Sequence, residues 1–302
     1  MFQDEYSRWC QAELVDFDLK RELTEIAGDE DAIRERFAAS LSFGTAGLRG
    51  TLGVGTNRMN IWVVRQATQG IADWVKTKGG SQTVAISYDS RLKGWNFARD
   101  AASVLAANGI QVRLYDELMP VPALSFATRY YNCNAGIMIT ASHNPAKYNG
   151  YKAYGADGCQ VTDEDAAVVY AAIQKTDVLG GAKFMSFAEG VEKGLIRFVG
   201  DDCKEAFYAA VESRQVRPGI CKTAGLKLVY SPLNGTGLVP VTRVLKDIGV
   251  EDVTIVKEQE YPNGYFTTCP YPNPEIFEAL EKGLALAKET GADLMLATDP
   301  DA

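Results

Sequence analysis

The chain has 302 residues, of which 46% are hydrophobic and 23% charged, a composition that predicts about two globular domains with buried cores. Its 31 lysines and arginines are outnumbered by 39 carboxylates, and the resulting net charge of −8 disfavours binding to nucleic acid or another polyanion. We expect no membrane association, because no stretch approaches the roughly 18 to 20 uninterrupted apolar residues of a membrane span and the first residues do not resemble a signal peptide.

The first 200 residues change from a charged, helical pattern to an alternation of strands and helices. Residues 1–40 predict an N-terminal helical extension, with acidic residues placed to favour a helix start before Phe37. Residues 41–200 predict a first α/β domain. Its expected elements are a helix at 63–78, a strand at 83–88, a helix at 97–107, a strand at 110–115, a helix after Pro122 and a strand at 135–140.

A second α/β block is expected at residues 201–302, after a linker near residues 198–202. Its expected elements are helices at 203–212, 240–247 and 276–290 and strands at 226–230, 253–256 and 294–297. Strands that alternate with helices favour right-handed crossovers between parallel neighbours. The fold class predicted for the chain is therefore α/β, with two consecutive domains of mixed, largely parallel sheets flanked by helices.

Cysteine and histidine usage indicates a reduced compartment and argues against a zinc site. The six cysteines never form a CxxC pair, and His143 is the only histidine. A zinc site with tetrahedral nitrogen and sulfur ligands has no suitable spacing here. We expect free thiols and a cytoplasmic protein.

The most distinctive motif is TASHNPAKYNGYK, residues 140–152, which directly follows the strand predicted at 135–140. Ligands collect beyond the carboxyl ends of strands in α/β sheets, which makes Ser142 a candidate nucleophile. His143 is an improbable base for it, since adjacent side chains on extended backbone point apart, and no G-x-S-x-G elbow surrounds the serine. The motif instead offers donors suited to phosphate or sugar hydroxyls, namely Asn144, Lys147, Asn149 and Lys152. Phosphoryl transfer fits this loop better than hydrolysis through a Ser–His pair.

Together with five other motifs, this loop resembles the phosphoserine loop of the α-D-phosphohexomutases, the family of phosphoglucomutase and phosphomannomutase. The other motifs, in the family's order, are FGTAGLRG (43–50), GTNRMN (55–60), SPLNGTG (231–237), PNGYFTTCPYPNPE (262–275) and ATDPDA (297–302). The charged N-terminal helices are similar to those of the phosphoglucomutase/phosphopentomutase branch. The resemblance implies a four-domain architecture in which this chain supplies domains I and II, with domains III and IV expected to complete the cleft.

The resemblance also implies a reaction and a set of site residues. Ser142 would carry a phosphoryl group that moves between the 1- and 6-positions of a hexose, from glucose 1-phosphate to glucose 6-phosphate, with glucose 1,6-bisphosphate as the activating intermediate. Lys152 would act in proton transfer, Arg49 would lie near the phosphoserine, and His143 would support the loop. Mg²⁺ would be held by Ser142, Asp299 and Asp301, and the sugar phosphate by Arg49, Asn144 and Lys152.

Several alternatives remain open from the sequence. Phosphomannomutase and phosphopentomutase activities are close competitors, because sugar choice depends mostly on residues outside these motifs. The pair Asp299 and Asp301 after a strand also resembles the motif of a metal-dependent sugar phosphatase. A module that binds phosphosugars without catalysis, switched by a phosphate on Ser142, is a third possibility. The SPLNGTG loop is interpreted as a structural turn rather than a phosphate cradle, and residues 1–302 alone are expected to be inactive.

Overall fold

The computed structural model describes residues 2–302, which begin with three short helices packed together. These are α1 (Phe2–Gln11), α2 (Phe17–Glu25) and α3 (Glu30–Phe37). Asp16 and Asp29 cap α2 and α3 with their side chains, as acidic residues favour at a helix start. Trp9 of α1 is fully buried and meets Phe37 edge-on at 5.9 Å. The helical pattern expected before residue 40 is confirmed.

The next part of the chain forms a six-stranded sheet with helices on its faces. Its strands are β1 (Leu48–Thr51), β2 (Thr83–Tyr88), β3 (Gln111–Leu114), β4 (Ala135–Ile139), β5 (Tyr148–Gly155) and β6 (Ile196–Phe198). The helices are α4 (Ile61–Lys78), α5 (Gly94–Ala107), α6 (Val121–Tyr130), α7 (Asp163–Lys175) and α8 (Phe187–Glu192). The strand order is β1-β5-β4-β2-β3-β6, with β4, β2, β3 and β6 parallel and β5 antiparallel to both neighbours. Every residue of β2 and β4 is buried, as expected for strands covered on both faces.

A smaller, wholly parallel sheet follows. It contains β7 (Lys227–Ser231), β8 (Asp252–Ile255) and β9 (Leu294–Ala297) in the order β8-β7-β9. The accompanying helices are α9 (Asp201–Glu212), α10 (Ile220–Ala224), α11 (Leu238–Asp247), α12 (Lys257–Glu260) and α13 (Phe277–Thr290). The predicted α/β class with mixed, largely parallel sheets is confirmed.

The main error of the sequence interpretation concerns β5. Residues 140–152 were expected to form one loop, whereas residues from Tyr148 onward form a strand between β1 and β4. The segment YNGYKAYG has no regular apolar alternation, and its glycines and asparagine suggest a turn. Pairing on both edges overrides that local preference. Consequently Lys152 projects from a strand. The side-chain amide of Asn149 is engaged within the fold, where it donates to the Leu92 carbonyl at 2.9 Å.

Across residues 2–302 we find no helix with the length and apolar character that crossing a bilayer would require.

Candidate active site

Two loops meet, one that follows a strand of the first sheet and one that follows a strand of the second. Ser142 follows β4, and Asp299 and Asp301 follow β9. The Ser142 hydroxyl donates to Oδ2 of Asp299 at 2.6 Å. Lys152, projecting from β5, donates from Nζ to Oδ2 of Asp301 at 2.8 Å. Four of the residues singled out from the sequence are thus brought together although they come from distant parts of the chain.

The backbone at Ser142 adopts the left-handed region, with φ of 51°. This conformation is uncommon for a residue with a side chain and occurs where the surroundings enforce it. The Ser142 amide donates to the Thr140 hydroxyl at 2.8 Å, and that hydroxyl lies 2.6 Å from Oδ2 of Asp89. The serine is therefore aimed by a short chain of buried polar groups.

The sequence interpretation expected extended backbone at Ser142, and that expectation was wrong. Extended backbone therefore does not explain why His143 lies away from the Ser142 hydroxyl. Nδ1 of His143 lies 4.0 Å from Oδ2 of Asp299, and its side chain is 49% exposed. The Ser142 hydroxyl donates to Asp299 and not to the imidazole. A Ser–His pair is not formed in this structure.

Arg91 is the residue that the sequence interpretation missed. Its side chain is fully buried, and its guanidinium donates to carbonyl oxygens of Ser142 (2.5 Å), Asn144, Pro145 (3.0 Å) and Tyr148 (3.1 Å). Asp89 lies 3.4 Å from Nε of Arg91 and balances its charge. The sequence feature that could have identified Arg91 is its position directly after β2, at the same sheet edge as Ser142.

Burial changes the acid–base behaviour of this support. It raises the pKa of the Asp89 carboxyl to about 7, although the neighbouring charge of Arg91 opposes the rise. It also lowers the pKa of the Arg91 guanidinium, with Asp89 acting in the opposite direction. Each group stabilises the charged form of the other in a buried position.

Arg49 and Asn144 lie at the outer side of the same loop. Nη1 of Arg49, on β1, donates to Oδ1 of Asn144 at 3.0 Å, and Arg49 remains exposed to solvent. The turn before β1 requires Gly47, which has φ of 75° and whose hypothetical Cβ would lie 1.9 Å from the Tyr151 carbonyl oxygen. The FGTAGLRG turn thus packs directly on β5 and presents Arg49 beside the serine loop.

The two aspartates carry charge at close quarters. Burial and the negative charge of Asp301 raise the pKa of Asp299 to about 6. Burial also disfavours the charged form of Asp301, but the ammonium of Lys152 outweighs it and leaves the pKa of Asp301 lowered.

The donor set of this site suits a hard divalent cation. It consists of two carboxylates and the Ser142 hydroxyl, oxygen ligands of the kind that Mg²⁺ prefers, and a cation would offset the burial of Asp299 and its repulsion from Asp301, both of which raise the pKa of Asp299. No group of three or more His, Cys, Asp or Glu side chains within residues 2–302 is arranged to hold a metal. The residues fit such an ion by their chemistry.

The SPLNGTG loop packs against the loop after β9 that carries Asp299 and Asp301, called here the aspartate loop. A Cβ on Gly235 would lie 2.5 Å from Cα of Pro300, and the Thr236 amide donates to the Pro300 carbonyl at 3.0 Å. Gly237 lies equally close to the Thr298 hydroxyl, at 2.4 Å from its hypothetical Cβ. These contacts support the interpretation of this loop as a structural turn.

Comparison with known proteins identifies the class. The family described as phosphoglucomutase/phosphomannomutase, alpha/beta/alpha domain I, matches residues 40–179, and the corresponding domain II matches residues 205–302. The chain belongs to the phosphoglucomutase/phosphomannomutase family, which confirms the resemblance seen in the motifs. The domain boundaries at residues 40 and 200 stay a prediction.

The relatives are phosphoglucomutases, and they are longer. The chain is 38% identical over 266 residues to the phosphoglucomutase of Staphylococcus saprophyticus, covering 88% of this chain and 48% of that protein. It is 34% identical over 275 residues to that of Staphylococcus aureus strain N315, covering 89% and 48%. Among solved structures, a putative phosphomannomutase from Thermus thermophilus matches with a TM-score of 0.73 and 25% identity, over 87% of this chain and 56% of that one. The chain spans about half the length of the curated relatives it matches.

Proposed function

We propose that the protein carrying this chain is a phosphosugar mutase that moves a phosphoryl group between the 1- and 6-positions of a hexose through phosphorylated Ser142. The observation that carries the proposal is the meeting of the Ser142 hydroxyl with Asp299 at 2.6 Å, beside the Lys152–Asp301 pair at 2.8 Å. A serine at such a place needs no basic neighbour, because phosphoryl transfer depends mainly on in-line positioning and neutralised charge.

Ser142 acts as donor and acceptor in turn. Its phosphate passes to the free hydroxyl of the sugar monophosphate: the bond between phosphorus and Oγ breaks, and a bond to the sugar oxygen forms. The resulting bisphosphate turns over in the cleft, and its other phosphate returns to Oγ of Ser142, which completes the isomerisation. The activating species is glucose 1,6-bisphosphate.

Lys152, which lies beside Asp301 and is only 12% exposed, relays the proton: its ammonium protonates the departing Oγ of Ser142, and the resulting amine takes up the proton of the attacking sugar hydroxyl. Arg49 and Asn144 hold oxygens of the sugar phosphate at the outer side of the loop, where the guanidinium fork suits phosphate. His143 supports the loop near Asp299. Ser142, Asp299 and Asp301 would hold Mg²⁺, which would neutralise charge on the transferring group.

Glucose 1-phosphate is the proposed substrate, supported by the names of the relatives. The test uses the full-length protein that carries this sequence, with a panel of glucose, mannose, glucosamine and pentose 1-phosphates in the presence of the matching bisphosphate. We expect formation of glucose 6-phosphate at the highest kcat/KM. A higher value for mannose or pentose phosphate would reassign the substrate while leaving the chemistry intact.

Replacement of Ser142 by alanine tests the chemistry itself. We expect Ser142→Ala to lose the mass of one phosphoryl group, about 80 Da, from the intact-mass spectrum and to lower kcat by at least about 10⁴-fold because the carrier oxygen is gone. Ser7→Ala, at an exposed serine of α1, is the matched control and should keep both. Release of inorganic phosphate in place of isomerisation would favour a phosphatase, and a phosphorylated but inactive protein would favour a binding module. Residues 1–302 alone are expected to turn over substrate negligibly.

A further inference from the structure

The Pro-rich segment that accompanies the second sheet contacts Arg91, the buried arginine that binds the serine loop. Phe266 lies in the Pro-rich segment between α12 and α13, and the guanidinium carbon of Arg91 is 5.1 Å from the centre of its ring. Phe266 is fully buried and has φ of 47°, a conformation that its surroundings must enforce. A desolvated cation over an aromatic face is held more firmly than an exposed one.

The backbones of the two segments also meet. Gly264 pairs with Arg91 in an isolated parallel bridge. A Cβ at Gly264 would lie 2.7 Å from the Leu92 nitrogen and 2.7 Å from the Ser90 carbonyl oxygen, closer than side-chain carbons approach backbone atoms. Glycine therefore allows the Pro-rich segment to reach the loop after β2 and to place Phe266 on Arg91.

We infer that Arg91 and Phe266 form a clamp across the two sheets, a pair of positioning residues that keeps the Ser142 loop aligned with the aspartate loop. This inference rests on the proposed function and adds to it a device that neither touches the substrate nor transfers a proton. Arg91 acts through the carbonyl oxygens of the serine loop, and Phe266 acts through Arg91.

The clamp explains how an uncommon backbone conformation persists at Ser142. Turning the serine out of the left-handed region would move its carbonyl, which accepts from Arg91 at 2.5 Å. The same guanidinium binds two further carbonyls of the loop and the carbonyl of Tyr148 at the start of β5, so the four oxygens can shift only together. A lysine at this position keeps a positive charge beside Asp89 but has only three donors and no planar fork. It cannot reproduce all four bonds.

The test compares two variants with two controls in the full-length protein. Arg91→Lys removes the fork, and Phe266→Leu removes the ring while leaving the charges in place. The controls are Arg65→Lys and Phe184→Leu, because the Arg65 guanidinium likewise lies over a phenyl ring, at 4.0 Å from the Phe184 centre, but binds Asp100 at 2.8 Å. The readouts are kcat and KM for glucose 1-phosphate, and amide hydrogen exchange of residues 141–148.

We expect kcat to fall about 100-fold in Arg91→Lys and about 10-fold in Phe266→Leu, with KM within about two-fold, since a displacement of about 1 Å at the reacting centre has effects of this size. Amides of residues 141–148 should exchange faster in both variants. The controls should keep kcat within about two-fold at temperatures where the protein is folded. They remove a similar contact elsewhere in the fold, so any loss of stability that they cause is not directed at the serine loop.

The clamp is wrong if both variants are folded and retain wild-type kcat and wild-type exchange at residues 141–148. If Arg91→Lys does not fold, Phe266→Leu decides the question by the same readouts. If the wild-type protein shows no mutase activity, the proposed function fails on its own, and exchange then decides the clamp. Faster exchange confined to residues 141–148 in Phe266→Leu supports it, and unchanged exchange overturns it.

Discussion

The two sheets give the two halves of the site unequal support. In the first sheet every residue of β2 and β4 is buried, and helices cover both faces. In the second sheet β8 and β9 each begin with an exposed residue and continue with half-buried ones. Ser142 therefore follows a strand that is buried throughout, whereas Asp299 and Asp301 follow a strand that is half-buried. We expect the strand that precedes the serine to be held more rigidly than the strand that precedes the aspartates.

Truncating one isoleucine in each sheet would test this difference most strongly. Ile86 of β2 is fully buried, so Ile86→Ala should lower the free energy of unfolding by about 4 kcal/mol. Ile255 of β8 is half-buried, and Ile255→Ala should cost about 1.5 kcal/mol. Urea unfolding followed by hydrogen exchange in each sheet measures both. Equal losses would show that the second sheet is packed as tightly as the first.

The N-terminal helices add to the support of the first sheet through Glu22. Its carboxylate accepts from Nε of Arg36 at 2.9 Å and from the Val54 amide at 2.7 Å, and its side chain is 22% exposed. We expect Glu22→Gln to lower the free energy of unfolding by about 2 kcal/mol, because charge-assisted bonds in a partly buried site are lost. Glu25→Gln, on the exposed side of the same helix, is the control and should cost less than about 0.5 kcal/mol in thermal unfolding. A similar loss in both variants would show that the helices are attached by general packing instead.

Magnesium should narrow the difference in amide exchange between the two sheets. Binding at Asp299 and Asp301 should stabilise the loop after β9 by about 1.4 kcal/mol at a concentration ten times Kd, and so slow amide exchange at residues 294–302. Exchange in β2 should change little, because that strand is already protected. In Asp299→Asn the slowing should disappear. Slowing of equal size in that variant would place the ion elsewhere.

Exposed ion pairs should contribute least to stability. Their contributions should be equal in the two regions. Glu30 pairs with Arg34 on α3, and Glu258 pairs with Lys282 beside the second sheet, with every side chain at least 42% exposed. We expect Glu30→Gln and Glu258→Gln each to shift the melting temperature by less than about 1 °C, since solvent screens such pairs. A large shift at Glu258 alone would mean that surface charge stabilises the second sheet where packing does not.

The sequence predicted elements whose local pattern agrees with their environment. The strands at 83–88 and 294–297 match to the residue, and the helix predicted at 63–78 begins two residues earlier, at Ile61, because Asn60 caps it. These elements carry their own periodicity, turn signals or caps. β5 does not, since its stability comes from pairing with β1 and β4 on either side.

The candidate site shows the same division. Ser142, Lys152, Asp299 and Asp301 stand in motifs that a sequence displays directly. Arg91 could not be found in that way, because the carbonyls it holds lie 51 to 57 residues further along the chain. The left-handed backbone at Ser142 also has no local signal, as it is neither glycine nor asparagine. Contacts between distant segments, and the backbone conformations that they impose, need the folded structure.

The contact between Ser142 and Asp299 joins residues that are 157 positions apart. At a translation rate of about 5 to 20 residues per second, the ribosome makes the aspartate roughly 10 to 30 s after the serine. The six-stranded sheet can fold during that interval, while the hydroxyl has no carboxylate partner. A nascent chain therefore presents the folded first sheet before the carboxylate that meets Ser142 has been made.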